Sequence, residues 1–186
     1  MEAIPLLVSL QALAGRLEEE ADAASPFLPR HATLTIGLLN GGTAGNILAR
    51  ECSFQFDLRC PPGQDPRAII APFAEQVRAL DGRLKARFPE AGAAIVQRSS
   101  TPPLSPEPDG AAEAFARRLA GDNGPARVVP YAAEAGQFQE AGFSTVICGP
   151  GSIDQAHQAD EYVDRVQMER GAAFMARLIE WAAAGE

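Results

Sequence analysis

The chain has 186 residues, with 24 Asp and Glu against 16 Lys and Arg and a formal net charge of -8. An acidic chain without a basic cluster is not expected to bind nucleic acid or an anionic membrane surface, and no apolar run approaches the roughly 20 residues of a membrane span. A composition of 46% hydrophobic and 22% charged residues suits a globular protein with a buried core. Cys52, Cys60 and Cys148 lack CxxC spacing. They read as reduced thiols, and with no secretory leader visible they point to a cytoplasmic protein.

Ile4, Leu7, Leu10, Leu13 and Leu17 recur at three- and four-residue steps, which predicts an amphipathic helix from about Glu2 to Ala21. Ser25, Pro26 and Pro29 end it. Leu34, Ile36 and Leu38 alternate with polar or small residues, as a half-buried strand does. Asn40-Gly41-Gly42 is turn chemistry. Beyond it Cys52, Phe54, Phe56 and Leu58 alternate with Glu51, Ser53, Gln55, Asp57 and Arg59, a second strand with Asp57 and Arg59 on its polar face. Asp65-Pro66 reads as an N-cap followed by proline at the first helical position. The helix it opens runs to about Phe88 and buries Ile69, Phe73, Val77, Leu80, Leu84 and Phe88. Ala93 to Gln97 reads as a third strand. The order α-β-β-α-β is that of a ferredoxin-like unit lacking its first strand.

Thr101 to Asp109 holds four prolines and reads as a linker. After it the pattern predicts a helix over Ala111 to Ala120, a strand over Arg127 to Val129 and a short helix over Ala135 to Ala141. A buried strand from Phe143 to Cys148 follows. A final helix from about Arg165 to Ala184 is expected to bury Met168, Ala172, Met175, Leu178, Ile179 and Trp181. Alternating short strands and helices suggest an α/β layer.

Four positions stand out chemically. His157 follows Gly149-Pro150-Gly151 within six residues and is flanked by Asp154, Asp160 and Glu161. A neutral imidazole there suits a metal, with a carboxylate orienting its other nitrogen; a turn bearing one surface histidine is the alternative. His31 opens a strand and reads as a surface residue. Arg59 suits a carboxylate, since a guanidinium fork matches it in geometry and charge, and Asn46 adds an amide donor. The alternative is a turn residue and an Arg59–Asp57 surface pair. Glu134 opens the short helix, where a carboxylate also simply suits the helix dipole.

GPGSIDQAHQADEYV (149–163) resembles the C-terminal metal-binding loop of the M20 family of di-zinc amidohydrolases and peptidases, and specifically of its acetylornithine deacetylases. The preceding YAAEAGQFQEAGFSTVICGPG is similar to the segment before that loop. GGTAGNILARECSFQFDLR (41–59) resembles the hairpin of the family's dimerisation domain. The sequence departs from the family at Ala132 and Ala133, where Gly-Thr or Gly-Ser is usual, and at Ala49, Arg50 and Ala159.

The resemblance implies a dimerisation (lid) domain over residues 1–102 and the C-terminal part of a zinc-hydrolase α/β catalytic domain over 103–186. It implies His157 as a metal ligand, Asn46 and Arg59 as the grip on the substrate carboxylate, and Glu134 as a pocket residue. It also implies two zinc ions per complete site, with cobalt as an alternative, a homodimer, and a small-molecule N-acyl amino acid as substrate. The reaction would be hydrolysis of N-acetyl-L-ornithine to ornithine and acetate, a step of arginine biosynthesis. The family's other metal ligands and general base precede its dimerisation domain. The chain is therefore expected to be N-terminally truncated and inactive alone. The competing readings are a non-catalytic dimerisation or small-molecule-binding remnant, and another M20 amidase such as a succinyl-diaminopimelate desuccinylase or a carboxypeptidase.

Overall fold

The computed structural model describes residues 2–129, 131–156 and 158–185. The chain forms two compact units, Met1–Ser100 and Thr101–Glu186.

In the first unit, helix α1 (Ala3–Glu19) is followed by strands β1 (Thr33–Gly41) and β2 (Cys52–Arg59) and by helix α2 (Pro66–Arg87). The expected α-β-β-α order is thus observed. The strands pair antiparallel, from Thr33 opposite Arg59 to Gly41 opposite Cys52. Alternation along β2 half-buries Phe54, Phe56 and Leu58 and exposes Ser53, Gln55, Asp57 and Arg59. The helices cover the apolar face. Leu10, Phe73 and Val77 form one buried cluster, edged by Leu34, Phe54 and Phe56. The Phe56 and Phe73 rings meet edge to face at 5.7 Å. Leu13, Leu17 and Ala32 form a second cluster beside Leu58, Cys60 and Ile69.

Asp65 caps α2 as expected, accepting a hydrogen bond from the Arg67 N–H at 2.8 Å, with Pro66 at the first helical position. Pro72 removes one N–H from the ladder without moving the helix start. The buried Phe73, Val77 and Leu80 stand just beyond it.

Two expectations for this unit change. Ile36, Leu38 and Cys52 are exposed rather than half-buried, and Phe88, at the C-cap of α2, is exposed rather than buried. A bulge between Ile36 and Leu38 puts Leu38 opposite Gln55, on the solvent face; Cys52 closes the ladder at the turn end of the hairpin. Residues 93–97 form no strand. The Ala93 N–H donates to Asp81 Oδ1 at 3.0 Å instead of to a ladder, and Asp81 Oδ2 pairs with Lys85 at 2.7 Å. Val96 is 77% exposed.

In the second unit, α3 (Ala111–Ala120), α4 (Ala135–Glu140) and α5 (Arg165–Ala184) match their predicted spans closely. The rings of Phe115 of α3 and Trp181 of α5 meet at a tilt of 60° with centroids 4.6 Å apart. The Arg177 Nε–H donates to the Leu119 carbonyl. Gly121 ends α3 in the left-handed region. At the end of α4, Gly142 donates to Gln139 O and Phe143 to Phe138 O, a Schellman motif.

Three expectations fail here, two strands and the buried stripe of α5. Residues 127–129 and 143–148 have no strand ladder. A strand exists only where neighbouring backbone takes its N–H and C=O groups, and apolar content cannot supply a neighbour. The half-buried residues of α5 include Gln167, Gly171, Phe174, Leu178 and Trp181, while Met168, Ala172, Met175 and Ile179 are exposed. The proline-rich segment read as a linker begins where the second unit does, and it packs within that unit. Gly136 lies so close under it that an added Cβ would sit 2.1 Å from Pro102 O. The Gln139 side chain pairs with Ser105 in both directions, accepting from its N–H at 2.8 Å and donating to its carbonyl at 3.0 Å. Glu107 then accepts from Gln139 Nε2 at 2.7 Å, from the Ser144 hydroxyl at 2.7 Å and from the Thr145 N–H at 3.3 Å.

Candidate functional site

Arg59 is the last residue of β2, and its position is set from both sides. Leu58 and Cys60 turn inward against the second core cluster, so the alternation of the strand turns Arg59 outward. Its Nε–H donates to Asp57 Oδ2 at 2.7 Å, with the two side chains 61% and 63% exposed. Asp57 and Arg59 stand opposite Thr35 and Thr33 respectively, so the four share the solvent face of the hairpin. The Cys60 thiol beside them is pushed up by burial and then by the charge of Asp65, which keeps it protonated.

Asn46 lies in the exposed 42–51 turn, where the Ile47 N–H donates to the Ala44 carbonyl at 3.2 Å. That turn closes the end of the hairpin opposite Arg59. The ladder between them runs the length of β2, about 23 Å at roughly 3.3 Å per residue.

Glu134 occupies the N-cap of α4 and is exposed; its backbone carbonyl accepts from the Gln137 N–H at 2.9 Å, but its carboxylate makes no capping bond. His157 lies outside the described residues. The loop around it is ordered by short-range polar bonds. Gly151 has a φ of +104°, and Ser152 caps a single 3-10 turn over Ile153–Gln155. Gln155 Nε2 donates to Asp164 Oδ2 at 3.0 Å, and Gln158 Nε2 donates to the Asp154 carbonyl. His31 is half-buried, two residues before β1.

The described side chains do not by themselves make a zinc site. Among the described residues no group of three His, Cys, Asp or Glu could hold a metal ion. Gln155 Oε1 is buried with no hydrogen-bond partner among the described residues, but an amide oxygen is not a usual zinc donor. An open surface depression is lined, among the described residues, by Ala112, Phe138, Phe143, Ser144, Thr145 and Val146, none of them titratable. Sequence reasoning missed the Glu107–Gln139–Ser144 clamp. Glu107 lies 32 residues from Gln139 and 37 from Ser144, so the clamp leaves no local pattern.

Residues 1–84 match the M20 peptidase dimerisation domain. The hairpin carrying Arg59 thus lies within the part of the chain that matches the dimerisation domain of the M20 peptidases. Along most of its length it is similar, at modest identity, to acetylornithine deacetylases. It is 29% identical over 174 residues to the acetylornithine deacetylase of Proteus mirabilis (strain HI4320), covering 94% of this chain and 43% of the relative. It is 31% identical over 163 residues to that of Myxococcus xanthus, covering 88% and 41%. It is 30% identical over 151 residues to the N-acetyl-L-citrulline deacetylase of Xanthomonas campestris pv. campestris, covering 77% and 38%. The chain spans about two fifths of the length of these relatives. No helix among the described residues is long and apolar enough to cross a membrane.

Proposed function

We propose that this chain is the dimerising and substrate-gripping portion of an acetylornithine deacetylase-type hydrolase, acting together with a portion that carries most of the metal ligands and the general base. The observation that carries this reading is the guanidinium of Arg59, held on the solvent face of the hairpin in a chain similar over 94% of its length to an acetylornithine deacetylase. N-acetyl-L-ornithine offers a carboxylate to a guanidinium fork, and an Arg–carboxylate pair fixes orientation as well as charge. With the carboxylate anchored, the acetyl carbonyl is presented in one place. Hydrolysis adds water there, breaks the C–N bond, releases acetate and leaves the proton on the new amine.

Glu134 would line the pocket and His157 would supply one zinc ligand. Asn46, at the far end of the hairpin from Arg59, would reach a carboxylate held by Arg59 where two hairpins meet head to tail in a homodimer. A second reading takes N-acetyl-L-citrulline as substrate, since one relative is named for that activity. The grip on the α-carboxylate is common to both, so Arg59 does not separate them.

The test has two arms. The 186-residue chain, titrated with N-acetyl-L-ornithine and with N-acetyl-L-ornithinamide, should bind the acid in preference to the amide and release no acetate. A fusion to the unmatched portion of the Proteus mirabilis relative should hydrolyse the acid. In that fusion Arg59→Ala should cost about 2 to 5 kcal/mol in kcat/KM, Arg59→Lys should recover little because the fork is lost, and His157→Ala should lower zinc per protomer. Chelator-sensitive acetate release by the chain alone, or an Arg59→Ala fusion of full activity, refutes the proposal. Running both acyl amino acids through the fusion separates the two substrates.

A further inference from the structure

We propose that the second unit carries a docking surface, made of one uncovered row of α5 and the unpaired segment 143–148. Through it the chain assembles, as a separate polypeptide, with the portion of the acetylornithine deacetylase relatives that it does not span. The inference rests on the reading of the chain as one part of such a hydrolase, and the experiment below separates failure of one from failure of the other.

Three observations converge on this surface. First, the second unit is short of core. Seven buried hydrophobic residues are described in the first unit and one, Leu119, in the second. Burial of apolar surface is the main favourable term in folding, so a unit with so little inside is completed by a neighbour. Second, the apolar side chains left outside on α5 are ordered. Met168, Ala172, Met175 and Ile179 recur at steps of four, three and four residues and are exposed, Met175 by 52% and Ile179 by 64%. That spacing sets them in one row along the helix. It is not the row that α3 covers, where Phe115 meets Trp181. A helix on a protein surface needs one apolar stripe; a second marks a helix packed on two sides. Third, residues 143–148 are apolar chain with no strand ladder, and Phe143 is 64% exposed. The Thr145 N–H is taken by Glu107, but among the described residues no hydrogen bond is made by the backbone of 146–148. Such backbone accepts a strand from another chain.

The occupant is argued from the matches. The dimerisation-domain match, residues 1–84, lies in the first unit, which is where a second copy is expected and not on α5. The Proteus mirabilis relative matches 94% of this chain with 43% of its own length, and the Myxococcus xanthus relative 88% with 41%. Each carries a portion longer than this chain's match, and an apolar helix row beside unpaired backbone is the kind of face a domain interior buries.

The experiment co-expresses the tagged 186-residue chain with the unmatched portion of the Proteus mirabilis relative as a second chain. The two are expected to co-purify as one complex, with hydrogen exchange at Val146, Ile147 and Cys148 slower than in the chain alone. Met175→Lys and Ile179→Lys place a charge in the row. In the chain alone they are expected to leave circular dichroism, thermal midpoint and oligomeric state unchanged, because both side chains lie in water. In the pair they are expected to weaken assembly about tenfold or more, as at an interface residue that carries binding. Glu180→Lys, exposed and off the row, is expected to leave assembly intact. Failure to co-purify, unslowed exchange at 146–148, or row variants that assemble as well as Glu180→Lys overturn the docking surface. A row variant that changes the oligomeric state of the chain alone also overturns it, and assigns the row to a second copy. An active covalent fusion beside separate chains that do not assemble overturns the docking surface and leaves the hydrolase reading standing. Separate chains that assemble beside an inactive fusion do the reverse.

Discussion

Replacing Gly136 by alanine should destabilise the second unit, whereas the same change at Gly82 should stabilise the first. Both glycines lie in helices, Gly136 in the first turn of α4 and Gly82 in the middle of α2. Ala is the better helix former by roughly 0.8 to 1.0 kcal/mol at an interior position. Gly82 has nothing within 4 Å of an added Cβ, so that gain should appear nearly whole. At Gly136 the Cβ would sit 2.1 Å from Pro102 O, 2.8 Å from Pro102 C and 2.9 Å from Pro103 O. These are backbone atoms, so relief means moving the 102–107 segment by about an ångström. That segment is held by the paired Gln139–Ser105 bonds and by Glu107. Overpacking of this kind costs about 1 to 3 kcal/mol, more than the helix propensity returns. The assay is thermal unfolding of Gly82→Ala and Gly136→Ala beside the native chain, with hydrogen exchange read at Ser105. Gly136→Ala should lower the midpoint and speed exchange of the Ser105 amide, since displacement of the segment breaks its bond to Gln139. An increase in stability at both positions would show that the segment does not pack on α4 as described.

Leu10→Ala should cost about 2 to 5 kcal/mol in urea unfolding of the first unit, because Leu10 is 0% exposed and abuts Phe73 and Val77. Asp65→Ala should cost about 1 kcal/mol through loss of the α2 cap, while Asp65→Asn should keep most of it. The Glu107 carboxyl is held below its ordinary range by the Ser144 hydroxyl, by Gln139 and by the Thr145 N–H. A depressed folded-state pKa adds stability that is present above the ordinary glutamate range and lost as pH falls through the folded value. Acid should therefore loosen the 102–107 segment first, seen as faster exchange at Ser105 below about pH 4, and Glu107→Gln should flatten that dependence. Asp81 is shifted the same way, chiefly by its bond to Lys85 and then by the Ala93 N–H, so Asp81→Asn should make the 91–97 segment less sensitive to acid.

What the amino-acid order determined by itself was local. The helix bounds of α2, α3 and α5 follow from signals carried within a few residues: Asp65-Pro66 at one start, Gly121 and Gly185 at two ends, and apolar steps of three and four between them. The β1–β2 hairpin was equally legible, because both of its strands and its turn lie in one stretch of chain. So was the outward facing of Arg59, which follows from alternation once Leu58 is placed inward. Tertiary structure decided whatever needs a second element. Residues 93–97, 127–129 and 143–148 are apolar enough for strands, yet a strand is a pairing and no local pattern names the partner. Helical period predicts an apolar stripe on α5 but not which stripe is covered; Phe115 of α3 meets Trp181, and Ile179 is left exposed. The bulge at Gly37 is a mismatch between two strands, which neither strand carries alone, and it turned Leu38 outward. The resemblance implies Arg59 and Asn46 as one grip, and the ladder sets them at opposite ends of the hairpin. Sequence separation measures distance along the chain, and only pairing turns it into distance in space.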